Sequence, residues 1–241
     1  MSFSPSARLN EEEQLPRLGL SALVGIERKG RGKMRKLSVN TFLTLDGVMQ
    51  APGGPEEDPT GGFAHGGWSA NYWDDEMFQI MAEAMSTPFD LVLGRRTYEI
   101  FAAHWPYATD DPLAKPLNDA AKYVASRTLR SLDWSNSVLI EGDVGEGIAA
   151  LKQQEGPPLY VHGSSNLIQT LLRHNLIDEY TLWTFPVVVG PGKRLFADGS
   201  LPAGLKLVDS KVSATGVVVS TYVPAGELVI GSFAMDEPTD A

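Results

Sequence analysis

The sequence predicts one α/β domain: a mostly parallel central sheet, helices on both of its faces, and an antiparallel edge on the C-terminal side. Three observations carry this. Short apolar runs alternate with segments of helical spacing through most of the chain, the pattern of a parallel sheet covered on both faces. Twice, such a run stops at a glycine and a helix begins at once. The first case is Phe89-Asp90-Leu91-Val92-Leu93 before Gly94-Arg95-Arg96-Thr97-Tyr98-Glu99; the second is Leu159-Tyr160-Val161-His162 before Gly163-Ser164-Ser165-Asn166-Leu167-Ile168. Near the end, strand-like stretches follow one another with no helix between them, which implies the antiparallel edge.

Residues 1–33 stand apart. They mix Ser2-Phe3-Ser4-Pro5, the acidic run Glu11-Glu12-Glu13 and the basic stretch Arg28-Lys29-Gly30-Arg31-Gly32-Lys33, with no lasting periodicity. This reads as a disordered extension or an overextended start before Met34; a basic interaction arm is the alternative. The domain proper is expected over residues 34–225. Leu37–Leu43 alternates and is rich in strand formers. A long loop with several glycines follows from Thr44 to about Ala70, and loops of that length inside a domain tend to be functional or disordered. Asn71 is positioned to cap a helix to about Met85, with Trp73, Met77, Ile80, Met81 and Ala84 at helical spacing. The strand Phe89–Leu93 and a helix from Arg95 to about Ala102 come next. After the loop Pro106–Pro116, a helical turn is expected at Leu117–Ala120, then strands at Lys122–Ser126 and Ser137–Ile140 and a helix at Gly145–Gln154. The strand Leu159–His162 leads into a helix from Ser164 to about His174. Asp178–Val189 reads as one long strand, and Leu205–Ser213 with Gly216–Val223 as a closing hairpin. Residues 226–241 read as a loose polar tail.

Composition narrows the function classes. With 30 acidic and 20 basic residues the formal net charge is −10, which argues against a general nucleic-acid binder. A few local arginines can still make a positive pocket on an acidic protein. There is no cysteine, so disulfides, thiolate metal sites and cysteine nucleophiles are excluded. No apolar run is long enough to span a bilayer, and no signal-peptide core opens the chain. The expectation is a cytoplasmic protein acting on a small molecule, with no nucleic-acid or membrane partner.

The two strand-to-helix turns are the candidate site. A helix start leaves N–H groups unpaired and carries partial positive charge, so it seats phosphate. Two such turns, one with paired arginines, suggest a ligand with several phosphates. Arg95 and Arg96 directly follow Gly94 and read as phosphate contacts, against the alternative of a solvated helix start. Asp46, before Gly47, is either a turn residue or a group near a cofactor ring. Asp74, Asp75 and Glu76 open a helix, where acids favour the dipole; the alternative is a substrate contact. Trp68, Tyr72 and Trp73 are core packing or a stacking platform for a flat heterocycle. His162 ends a buried strand and reads as structural or near a cofactor. The four histidines have neither zincin spacing nor a nearby acid to complete a ligand set, so no metal site is expected. No Gly-x-Ser-x-Gly elbow is present.

From Leu37 to about Pro224 the chain resembles the dihydrofolate reductase-like fold. It is most similar to the branch containing the reductase domain of the bacterial bifunctional riboflavin-biosynthesis deaminase-reductase and its stand-alone relatives. The motifs are Ser38-Val39-Asn40-Thr41-Phe42-Leu43-Thr44-Leu45-Asp46-Gly47-Val48, the two turns above, and Leu176-Ile177-Asp178-Glu179-Tyr180 leading into Phe185-Pro186-Val187-Val188-Val189-Gly190-Pro191-Gly192-Lys193-Arg194-Leu195-Phe196. The resemblance implies a three-layer fold, NADPH as cofactor and a homodimer. It implies that Gly94, Arg95, Arg96 and Thr97 with Gly163, Ser164, Ser165 and Asn166 hold the pyrophosphate. Arg95 or Arg96, with Ser126 and Arg127, would meet the ribose 2′-phosphate, and Thr44 would lie beside the nicotinamide. Asp46 and Asp75 are the candidate catalytic acids; Trp68, Trp73 and Asp74 are the candidate substrate contacts. The implied activity is NADPH-dependent reduction of a small heterocycle, the nearest named one being 5-amino-6-(5-phosphoribosylamino)uracil reduction. Dihydrofolate reduction and a non-catalytic NADPH sensor are the alternatives. Two departures stand out. Ser164 and Ser165 follow a single Gly163 where the family often has adjacent glycines, and no deaminase zinc motif precedes the domain.

Overall fold

A computed structural model describes residues 34–233; the extension 1–33 and the last eight residues lie outside that range. Thirteen elements follow in chain order: β1 (Leu37–Thr44), α1 (Asp75–Ala84), β2 (Asp90–Gly94), α2 (Arg95–His104), α3 (Ala114–Asp119), β3 (Lys122–Ala125), β4 (Ser137–Leu139), α4 (Val144–Lys152), β5 (Leu159–His162), α5 (Ser165–Arg173), β6 (Glu179–Phe185), β7 (Leu205–Val212) and β8 (Val218–Pro224). The strands form one sheet in the order β4-β3-β2-β5-β1-β6-β8-β7. Every pairing from β4 to β6 is parallel, and the last two are antiparallel. Residues 226–233 carry no regular structure and are exposed.

The layers follow from side-chain alternation. On one face Val39, Leu43 and Val92 pack with Ile148 and Leu151 of α4 and Leu167, Ile168 and Leu171 of α5. On the other, Leu91, Leu93, Trp183 and Phe185 pack with Met77 and Met81 of α1, Tyr98 of α2 and Leu117 of α3. Each fully buried aliphatic side chain contributes ~1.5–3 kcal/mol. Because β1, β2, β3 and β5 run parallel, their C-terminal ends share one edge of the sheet, where α2 and α5 begin. That edge is where ligands bind in open α/β sheets.

Three boundaries differ from the sequence reading. The first helix is capped by Asp74 rather than Asn71 and starts at Asp75, because the Asp74 carboxylate accepts the Met77 N–H at 2.9 Å; Ala70–Tyr72 is a separate 3-10 turn. The helical turn expected at Leu117–Ala120 is α3, from Ala114 to Asp119. The long strand expected over Asp178–Val189 ends at Phe185, before Pro186, which has no N–H for the ladder. Beyond it the chain turns to the loop after β1: Leu45 N–H donates to Val187 O, and Gly190 N–H to the Asp46 carboxylate. No helix among the described residues is long and apolar enough to cross a membrane.

Candidate active site

The two strand-to-helix corners meet. β2 and β5 are direct neighbours, so Gly94 and Gly163 end adjacent strands. Gly163 and Ser164 both adopt left-handed backbone, with φ of 64° and 69°, which turns the chain sharply into α5. Serine is strained there, and its hydroxyl compensates. Ser164 Oγ accepts the Gly94 N–H at 2.9 Å and donates to Thr97 Oγ1 at 2.7 Å. A Cβ at Gly94 would stand 3.0 Å from Ser164 Cβ and Oγ, so glycine permits the approach. Neither α2 nor α5 has a side-chain cap, and their first N–H groups remain available to a ligand. Both corners line a single cleft of about 1860 Å³.

The cations around the cleft differ in commitment. Arg96 is tied to Asp58 at 2.8 Å, and Lys193 reaches the same carboxylate at 2.5 Å. Burial would raise the Asp58 pKa, but hydrogen bonds from Lys193 and Thr60 outweigh it and hold the group below its usual value. Asp58 thereby pins the long loop to α2 and to the segment after β6. Arg95 makes only a 3.7 Å contact to its helix neighbour Glu99. Arg127 has no ion-pair partner among the described residues and lines the cleft beside Ser126, whose oxygen accepts the Thr128 and Leu129 N–H groups. Arg173, at the end of α5, also lines it. Asp58, Lys193 and Arg173 escaped the sequence reading. Lys193 lies in the Pro191-Gly192-Lys193 stretch of the motif after Phe185, but nothing local links it to Asp58.

Five expected site residues lie elsewhere. Thr44, Asp46, Trp68, Asp74 and Asp75 do not line the cleft. Asp46 accepts hydrogen bonds from Thr44 Oγ1 at 2.5 Å and Gly190 N–H at 2.8 Å; these, the Thr44 bond foremost, lower its pKa. It is a loop tie, and Thr44 serves the same turn by accepting the Val48 N–H. Trp68 donates its indole N–H to Gln50 O and packs edge-on to Phe185. Asp74 caps α1, a bond that lowers its pKa first of all, and touches Thr215 of the β7–β8 turn. Asp75 is exposed in the first turn of α1. Glu57 also faces the cleft, and its pKa is shifted upward. Burial raises it, opposed by the Gly53 and Gly54 N–H bonds to its Oε2.

Trp73 does line the cleft, beside Phe42, Phe78, Met81, Phe101 and Trp105. The wall next to the helix starts is therefore aromatic and apolar. The arrangement joins two uncapped helix starts to an aromatic and apolar wall within one cleft.

Comparison with known proteins agrees with this architecture. The uncharacterized protein YyaP of Bacillus subtilis (strain 168) is 29% identical over 199 residues, covering 79% of this chain and 95% of its own. A protein from Shewanella sp. PV-4, provisionally named for riboflavin biosynthesis, superposes with a TM-score of 0.56 at 21% identity over 78% of this chain and 98% of its own. A pyrimidine reductase-like protein from Corynebacterium diphtheriae gives 0.53 at 12% identity, over 80% and 93%. The fold is the dihydrofolate reductase-like one. The family model of the RibD C-terminal domain matches residues 35–219, most of the chain, and the protein belongs to that family.

Proposed function

We propose that this protein is a reductase of the riboflavin-biosynthesis type that takes NADPH and reduces a small ribosylaminopyrimidine-like heterocycle in the cytoplasm. The observation that carries the reading is the pair of uncapped helix starts locked together by Ser164 over one cleft. The donor set fits the cofactor. The N–H groups opening α2 and α5 suit a diphosphate. Arg95, Arg127 and the Ser126 hydroxyl suit a 2′-phosphate, since guanidinium forks match phosphate oxygens. The cleft exceeds the roughly 300–1,000 Å³ of a single ligand pocket, leaving room for a substrate beside the cofactor. When bound, the nicotinamide supplies the hydride; the protein supplies orientation and electrostatics. Trp73 and Phe42 hold a flat ring, and the apolar wall excludes water. Glu57 is the carboxyl placed to hold a proton in the cleft, and Glu57→Gln should lower kcat without changing NADPH affinity.

Dihydrofolate reduction loses its structural support, because none of Asp74, Asp75 and Glu76 lines the cleft. The direct test measures NADPH oxidation with the aminopyrimidine intermediate, dihydrofolate and a carbonyl panel. NADPH binding without oxidation of any of them would convert the protein to a sensor.

We also infer a homodimer through β7. All eight residues of this edge strand are exposed. Around Ser210 its sequence is self-complementary. An antiparallel copy centred there sets Asp209 against the partner's Lys211 and Val208 against the partner's Val212, both favourable cross-strand pairs. Ser210→Pro should then yield a monomer in size-exclusion chromatography.

A further inference from the structure

Asn40 and His162 face each other across parallel strands β1 and β5 as Cα partners, so their side chains leave the same face about 5 Å apart. Both line the cleft. Trp183, fully buried on the neighbouring β6, donates its indole N–H to Asn40 Oδ1 at 2.8 Å. An indole nitrogen only donates, so only the amide oxygen can make this bond. Asn40 is therefore held in one orientation, and its –NH2 group has no partner among the described residues. Trp183 is itself clamped, with Phe42 edge-on at 5.7 Å and Trp73 stacked at 6.0 Å. His162 Nε2 is buried and unpartnered, and burial pulls its pKa down to about 4, so the ring is neutral at pH 7. Every strand residue that lines the cleft is uncharged: Asn40, Thr41, Phe42, Gly94, Ala125 and His162.

We propose that Asn40, oriented by Trp183, is the residue that reads the substrate ring. Its amide N–H groups hydrogen-bond a ring carbonyl, and the neutral floor selects uncharged carbonyl-bearing heterocycles over cationic amidine-type rings. An amidinium would set its own N–H donors against those of Asn40 and find no carboxylate on the strand floor to pair with, and an unpaired donor in a dry site is costly. This deepens the reductase reading and rests on it for the use of the cleft; the residue assignment is tested separately.

The probes are 6-aminouracil and 2,4,6-triaminopyrimidine, of like size, titrated by calorimetry into the full chain, with NADPH titrated in parallel by its fluorescence. The wild-type chain should bind 6-aminouracil at least about tenfold more tightly than triaminopyrimidine. Asn40→Asp is isosteric, keeps an oxygen for the Trp183 indole, and should reverse that order. Trp183→Phe should shrink the ratio toward one, because the amide is then free to turn, while NADPH affinity stays within twofold of wild type. Failure of the wild-type chain to bind 6-aminouracil, or an unchanged ratio in Asn40→Asp with NADPH affinity intact, overturns the proposal. Discrimination between the pyrimidines in a protein that binds no NADPH would support the Asn40 assignment and defeat the cofactor reading instead.

Discussion

The two strand-to-helix corners look alike in sequence and do different work. The corner after β2 carries charge: Gly94 is in ordinary extended backbone, and Arg95 and Arg96 follow it. The corner after β5 carries no cation in its turn. It contributes shape through two successive left-handed residues and a serine hydroxyl that reaches back to the first corner. If the two corners hold a diphosphate as proposed, the difference teaches that such a seat can be divided, with one helix start supplying the electrostatics and the other holding both starts at a set spacing. It also explains why serine stands where glycine would be easier for the backbone: the hydroxyl offsets the strain of its own conformation.

Breaking the approach between the corners should have the largest effect. Gly94→Val places side-chain atoms against Ser164; overpacking of this kind costs about 1–3 kcal/mol. NADPH binding, followed by fluorescence, should fall below detection while the circular dichroism spectrum persists. Removing the charge alone should do less. Arg95→Ala and Arg127→Ala should each weaken NADPH about tenfold and leave NADH unchanged, consistent with ~1.5–3 kcal/mol for a hydrogen bond to a charged group. Arg96→Ala should leave the NADPH-to-NADH preference intact, since Arg96 is engaged by Asp58. An equal loss in all three variants would erase the distinction drawn between the two arginines. The geometric corner separates further. Ser164→Gly relieves the left-handed strain and Ser164→Ala keeps it, while both lose the hydroxyl. The glycine variant should therefore be the more stable of the two by about 1 kcal/mol in chemical denaturation.

A separate effect is one of pH. The folded-state pKa of His162, about 4, lies below its unfolded value of 6.5. Between these values the unfolded chain binds more protons, so stability falls as pH drops through that window. Denaturation midpoints of the wild type should decline from pH 6.5 to 4, and His162→Phe should flatten part of that decline. An identical slope in the variant would show that other groups cause it.

Most elements were legible because their signals are local. The strand Leu159–His162 was read with its observed bounds, and both corners follow from a glycine after an apolar run. What escaped depends on residues far apart in the chain. Asp58 meets Lys193 across 135 positions, and Asp46 meets Gly190 across 144. Asp46 reads as a catalytic candidate in sequence because one of its partners, Gly190, lies outside any local window. In sequence Asp74 reads as a substrate contact and Asp75 as a catalytic acid, yet the spacing of Asp74 ahead of Met77 is that of a helix cap, and the cap is what forms. Glu57 carries no signal in sequence; burial and the Gly53 and Gly54 N–H bonds distinguish it from its neighbour Glu56.

The amino-acid sequence by itself determined the order of strands and helices, the two glycine corners and the family, because backbone preference and hydrophobic period act over a few residues. Only the tertiary structure decided that β2 lies beside β5, that Ser164 joins the two corners, which arginine stays available, and that Trp183 holds Asn40 toward the cleft. Those outcomes depend on which distant strands pair and on which buried donors must find acceptors once water is excluded.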